Sequence, residues 1–266
     1  MRHRTFNVEH RDLWIKLSES MQDVIKIESV TPEIVLITMQ DEAHKNTFSE
    51  ALIRGLVNAF ETIGANPSYK VVILTGYGPY FASGGTQEGL LALAGGQGKF
   101  TDINIYSLAL DCPIPVISAM QGHGIGGGFV MGLFADFVLL GRESVYTTNF
   151  MKYGFTPGMG ATYIVPQKLG ITLGHEMLLN AQTYRGEVLK QRGIPFPVYP
   201  RNEVLSQARQ LAEELAEKPR ISLVTLKTHL VAPLRQALPA FIEQEVAMHE
   251  KTFHQPEVRE RIKDLF

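Results

Sequence analysis

Two apolar segments with alternating polarity, "VIKIESV" (residues 24–30) and "EIVLITMQ" (33–40), flank Thr31-Pro32 and predict an early β-hairpin. Leu52, Leu56, Val57, Phe60 and Ile63 then recur with a helical period. Thr47 and Glu50 ahead of them read as a capping box. "KVVILTG" (70–76) is short and continuously apolar, the pattern of a buried strand, and "GYGPYFASGG" (76–85) reads as the loop leaving it. "GLLALAGGQGKF" (89–100) reads as a flexible segment, with a helix near "INIYSLAL". "PVISAMQG" (115–122) is a second buried strand, followed by a glycine cluster and a short helix. "DFVLLGRESVYTTNF" (136–150) returns to strand, and from about residue 160 the pattern is mostly helical. Strands alternating with helices predict an α/β fold. The expected organisation is an N-terminal arm at 1–20, a core at 21–200 and a helical C-terminal region at 201–266.

Composition narrows the class. The chain has 266 residues, 45% of them hydrophobic, with a formal net charge of −2. That balance carries no nucleic-acid footprint. One cysteine, Cys112, excludes an internal disulfide and points to a reducing, cytoplasmic compartment. No apolar run reaches the roughly 18 residues of a membrane span, so no membrane partner is expected. The first twenty residues lack the apolar stretch of a secretory signal. No His, Cys or carboxylate set has metal-ligand spacing.

The chemistry gathers around "QGHGIGGGFVMG" (121–132). Gly122, Gly124 and Gly127 satisfy G-x-G-x-x-G between a strand and a helix, with Glu143 about 20 residues on, as in a dinucleotide site. Two other readings compete. Glycine permits close approach of a helix to a neighbouring strand. Alternatively, Gly126-Gly127-Gly128 presents N–H groups at a helix start, and the upstream "FASGG" loop supplies one more. Two converging N–H groups make an oxyanion hole, each donor worth about 3–4 kcal/mol of barrier.

"HKNTFS", "VVILTG…YFASGG", "PVISAMQGHGIGGGF", "ADFVLL" and "YGFTPGMGAT" resemble the crotonase (enoyl-CoA hydratase/isomerase) superfamily over roughly residues 22–266. The resemblance implies a crotonase fold, with a repeated ββα core and a C-terminal helical trimerisation region. It implies a homotrimer or hexamer, with C-terminal helices crossing onto a neighbouring subunit. It places the two oxyanion donors on Gly85 and Gly127. Hydratases of the superfamily carry two glutamates around the added water. The matching positions here are Val130 and Phe150, both apolar, so hydration by that route is not expected.

A narrower resemblance is to the decarboxylating crotonases of polyketide β-branching cassettes, on "YFASGGTQEGLL", "ESVYTTNFMKYGFTPGMGAT", "RGIPFPV", "SLVTLK" and "MHEKTF". It implies conversion of a 3-methylglutaconyl thioester into a 3-methylcrotonyl thioester through a dienolate. It implies no cofactor beyond the phosphopantetheine of an acyl carrier protein, or coenzyme A, that carries the substrate. The implied roles are His249 as proton donor and Lys99 as holder of the substrate carboxylate, with Val130 and Phe150 lining the acyl pocket and Tyr80 and Gln87 as further acyl contacts. Read from the residues alone, without the resemblance, His249 is a packed histidine on the apolar stripe Ile242, Val246, Phe253, and Lys99 a solvated loop lysine. His44 and Lys45 are candidates to flank an entrance, and His123 reads as packing. The alternatives are a double-bond isomerase and a non-catalytic scaffold that binds carrier protein.

Overall fold

The computed structural model describes residues 24–102 and 104–266; the arm expected at 1–20 lies outside them. The strands are β1 (Ile25–Ser29), β2 (Ile34–Met39), β3 (Val71–Thr75), β4 (Tyr80–Ala82), β5 (Val116–Met120), β6 (His123–Ile125), β7 (Phe137–Gly141), β8 (Val145–Thr147), β9 (Tyr184–Arg185) and β10 (Val198–Tyr199). They form a six-stranded sheet, β1-β2-β3-β5-β7-β10, and a four-stranded sheet, β4-β6-β8-β9. The expected hairpin is present: β1 and β2 pair antiparallel, with Ile27 opposite Ile37. From β2 onward the large sheet is parallel. Each of the pairs β3/β4, β5/β6 and β7/β8 places one strand in each sheet, so the chain winds through both in a repeated strand–strand–helix unit.

The helices are α1 (Glu50–Ala65), α2 (Gln87–Ala94), α3 (Leu108–Asp111), α4 (Gly127–Leu133), α5 (Ala161–Leu169), α6 (Ile171–Asn180), α7 (Gly186–Gln191), α8 (Val204–Ala216), α9 (Arg220–Thr252) and α10 (Pro256–Leu265). Among the described residues no helix is long and apolar enough to cross a membrane. Every residue of β3 and β5 is buried because both faces of the sheet are covered, which is why these strands read as unbroken apolar runs. One face meets the main core. The other meets α8, whose Val204, Ala208, Ala212 and Ala216 form a stripe against Ile73, Ile117 and Leu139.

Several local expectations give way to tertiary structure. The cap of α1 is Ser49, not Thr47: Ser49 Oγ accepts the Leu52 N–H at 3.2 Å while donating to Asp41 at 2.7 Å. Thr47 instead forms a bridge with Gly84. Val57 is only partly buried, and Ala59 joins the buried face of α1. The segment expected to be flexible begins inside α2, which is capped by Thr86 Oγ1 on the Gly89 N–H. The loop after β3 contains β4, and the helix near "INIYSLAL" is the single turn α3.

The C-terminal helices return to their own chain. After α9 the chain turns at Phe253, and α10 packs on α2 and on the 3₁₀ turn Asn149–Tyr153. Gln87 Nε2 donates to the Ile262 carbonyl at 3.2 Å, and Arg259 reaches the Ala94 carbonyl at 3.4 Å. Within the chain, α10 thus closes over α2 and the 3₁₀ turn. Near its start, α9 is fixed by Lys227, which is 4% exposed. Its ammonium lies 2.7 Å from Asp136 and donates to the Ala109 and Ile114 carbonyls, each at 2.9 Å, which uses all three of its donors. Lys227→Ala removes one partner of this buried pair. Urea unfolding is expected to show a loss of about 3 kcal/mol or more.

Candidate active site

The strands β4 and β6 pair in parallel, which sets the loop after β4 beside the turn after β6. The approach is too close for side chains. Gly84 has φ +77°, and a Cβ there would lie 3.0 Å from the Ile125 carbonyl oxygen and 3.2 Å from the Gly127 nitrogen. A Cβ on Gly128 would collide with the Ala82 carbonyl. Gly85 and Gly127 both face a cavity of about 350 Å³. Gly127 is the first residue of α4, where a helix leaves its N–H groups unpaired. Neither the Gly85 nor the Gly127 N–H has a partner among the described residues.

The cavity walls are largely apolar, with Ile53, Leu90, Leu93, Ile105, Met159 and the rings of Phe48, Phe100, Phe150, Phe155 and Phe253. The ionisable side chains set into them include Lys99, Asp102 and His249. His249 is half-buried within rings, with centroids 5.0 Å from Phe100, 5.0 Å from Phe253 and 6.1 Å from Phe155. Its Nε2 lies 2.7 Å from the Thr156 carbonyl oxygen. A carbonyl can only accept, so Nε2 carries a proton. Burial pushes the imidazole below its ordinary pKa, and the backbone carbonyls of Thr156 and Pro157 partly oppose this. The Lys99 N–H donates to Asp102 Oδ2 at 2.7 Å, which pins the turn carrying this lysine. The Lys99 ammonium is exposed, 3.7 Å from Glu250.

Gly85, Lys99, Gly127, Phe150 and His249 thus meet in one cavity, although they come from four separate segments of the chain. Three other expected contacts lie outside its lining. Val130 is fully buried in the main core, one turn into α4. Tyr80 packs its ring against Tyr77 and His123 at 6.0 and 5.8 Å. Gln87 faces a neighbouring groove of about 830 Å³ and is engaged with α10. That groove also holds His44 and Lys45, and it shares Phe48, Ser83, Thr86, Asn149, Tyr153 and Phe266 with the cavity. His123 Nδ1 accepts the Val145 N–H at 3.1 Å, a packing role as expected.

The sequence reading missed Met159, Asn149, Phe266 and, behind the wall, Glu245. Glu245 is fully buried and accepts three hydrogen bonds. Burial pushes its carboxyl up to about 7, against the pull of those donors. Its helical spacing from His249 was the available signal.

The chain with two apposed glycine loops beside an apolar cavity, on a winding strand–strand–helix core, is matched by one family profile. The enoyl-CoA hydratase/isomerase profile covers residues 30–265. The chain belongs to this family. A curated family member, the bacillaene synthase decarboxylase PksI of Bacillus subtilis (strain 168), is 67% identical over 250 residues, 94% of this chain and 99% of that protein. A solved structure of a dehydratase/decarboxylase enzyme couple involved in polyketide β-branching is similar with TM-score 0.91 and 67% identity, over 91% of this chain and 96% of that one. The ECH2 decarboxylase domain of CurF from Lyngbya majuscula is similar with TM-score 0.89 and 46% identity, over 92% of this chain and all of that domain. The chain is thus an enzyme of the crotonase type.

The two central glycines separate in their demands. A Cβ on Gly127 would meet the Met159 sulfur at 2.6 Å and the Phe48 ring at 2.9 Å, the far ends of movable side chains, whereas on Gly128 it meets backbone. Gly128→Ala should lose about 1–3 kcal/mol of stability in denaturant titration. Gly127→Ala should lose less stability and show its defect in turnover.

Proposed function

We propose that this enzyme decarboxylates a 3-methylglutaconyl thioester carried on an acyl carrier protein, giving a 3-methylcrotonyl thioester for polyketide β-branching. The observation that carries the reading is an apolar cavity with a ring, Phe150, where hydratases hold a carboxylate, and with Lys99 and His249 set into the same walls. The 67% identity to a protein named as a decarboxylase supports it.

In this reading the thioester oxygen lies against the Gly85 and Gly127 N–H groups and the substrate carboxylate against Lys99. The bond between the carboxylate carbon and the γ-carbon breaks. Its electron pair passes through the conjugated system to the thioester oxygen, and carbon dioxide leaves. The charge that forms on that oxygen is what the two N–H groups stabilise. Protonation at the γ-carbon by His249 then restores the α,β double bond. An empty apolar site favours the neutral imidazole, and a substrate anion beside it favours the imidazolium needed for this step. The adjoining groove, with His44 and Lys45 on its rim, is the path for the phosphopantetheine arm.

Mass spectrometry of the carrier-bound product tests the reading. Loss of the mass of carbon dioxide is expected, together with no hydration of crotonyl-coenzyme A. An unchanged mass with a moved double bond would instead mean isomerisation. Carrier binding without turnover would mean a scaffold. Lys99→Ala should weaken binding of the carboxylated substrate while sparing the product, and His249→Ala should slow product formation while sparing substrate binding.

We also propose that the chain assembles as a trimer or a pair of trimers. Ile221, Leu226 and Leu230 on α9 are 72%, 57% and 66% exposed in the single chain, apolar side chains that association would cover. Sedimentation at micromolar concentration should show a multiple of 29.6 kDa; a monomer alone would refute the assembly.

A further inference from the structure

The face of α9 that carries His249 also carries Glu245 and Thr252 at helical spacing. All three reach one short segment, residues 156–162. His249 Nε2 donates to the Thr156 carbonyl. Thr252 Oγ1 accepts the Thr156 N–H at 3.3 Å. Glu245 takes the other end: Oε2 accepts the Gly160 N–H at 2.7 Å, and Oε1 accepts the Thr162 N–H at 2.8 Å and the Thr162 hydroxyl at 2.7 Å.

Between these anchors stands Met159, with φ +64°. That is the left-handed region, sparsely populated by residues other than glycine, and it persists only where surrounding contacts over-determine it. The N–H immediately after Met159 is the one that Glu245 holds. The Met159 thioether lines the cavity and fills the space that a Cβ on Gly127 would occupy.

We propose that Glu245 is a positioning residue, which through Gly160 and Thr162 holds Met159 against the Gly127 backbone and so sets the shape of the pocket where the acyl group meets the two N–H groups. The plainer role, a remote cap for α5, involves the same hydrogen bonds but predicts a change in stability alone. The kinetic part of the proposal rests on the decarboxylase reading above; the geometric part does not.

The test is Glu245→Gln, which keeps the shape but turns a donor toward at least one of the donors now satisfied. Exposed Glu243→Gln on the same helix is the control. In protein labelled at methionine methyl carbons, with Met159 assigned through Met159→Leu, the Met159 resonance should shift and broaden while distant methyls hold their positions. With carboxylated thioester, kcat should fall on the order of ten- to a hundredfold, as for a small misplacement of reacting groups. KM should change little, the signature of an interaction that matters in the transition state. An unmoved Met159 methyl in folded Glu245→Gln overturns the proposal, whether or not the wild type turns over this substrate. An unchanged kcat beside an active wild type also overturns it. An inactive wild type refutes the decarboxylase reading instead, and the methyl spectrum then decides the role of Glu245. If Glu245→Gln does not fold, Thr162→Val removes one of the three hydrogen bonds: a smaller methyl shift is expected, and no shift overturns the proposal.

Discussion

Two glycine loops lie closer together than side chains would permit, and the rest of the molecule is organised around that approach. It follows from the parallel pairing of β4 with β6, which brings Ala82 opposite Gly124 and sets Gly84 so near that an added Cβ would lie 3.2 Å from the Gly127 nitrogen. Gly85 and Gly127, whose N–H groups have no partner among the described residues, then line one cavity. A buried backbone donor such as that of Gly127 is rarely left so, and in the proposed reaction it would meet the thioester oxygen that acquires charge. The apolar walls sharpen its effect, because a charge is weakly screened where water is excluded.

The remaining wall comes from α9, and its placement is a problem of register. A helix advances about 1.5 Å and turns about 100° per residue, so a slip of one residue would aim His249 away from the cavity. Buried polar groups along α9 prevent such a slip. The ammonium of Lys227 has all three donors placed on Asp136 and two carbonyls, and both oxygens of Glu245 are engaged by Gly160 and Thr162. Leaving either charge buried and unpartnered would cost several kcal/mol. Lys227 is 22 residues before His249, about 33 Å along the helix. One buried ion pair near the start of α9 thus helps to place a ring near its end.

Much of this was legible in the sequence, though unevenly. The hairpin and the buried strands β3 and β5 follow from local periodicity, and the structure contains them. The cap of α1 was misplaced because Thr47 and Ser49 are chemically alike. The choice between them depends on Asp41, which engages the Ser49 hydroxyl, and on the bridge from Thr47 to Gly84. The helix α2 was missed because its glycine-rich surroundings argue against order. It packs instead against α10, which the chain supplies from more than 160 residues away.

The sequence by itself determined the chemical inventory: the glycine loops, the absence of a carboxylate at positions 130 and 150, a lysine after the first loop and a histidine on an apolar helical stripe. These are properties of residue type and spacing, and short-range patterns carry them. Only the tertiary structure decided which of these groups meet. Phe150, Lys99 and His249 share the cavity, while Val130 faces the core, Tyr80 packs on His123 and Gln87 holds the end of α10. The reason is physical. Contacts between distant segments depend on strand order, helix register and the partners of buried charges, and none of these is encoded in any one stretch of the chain.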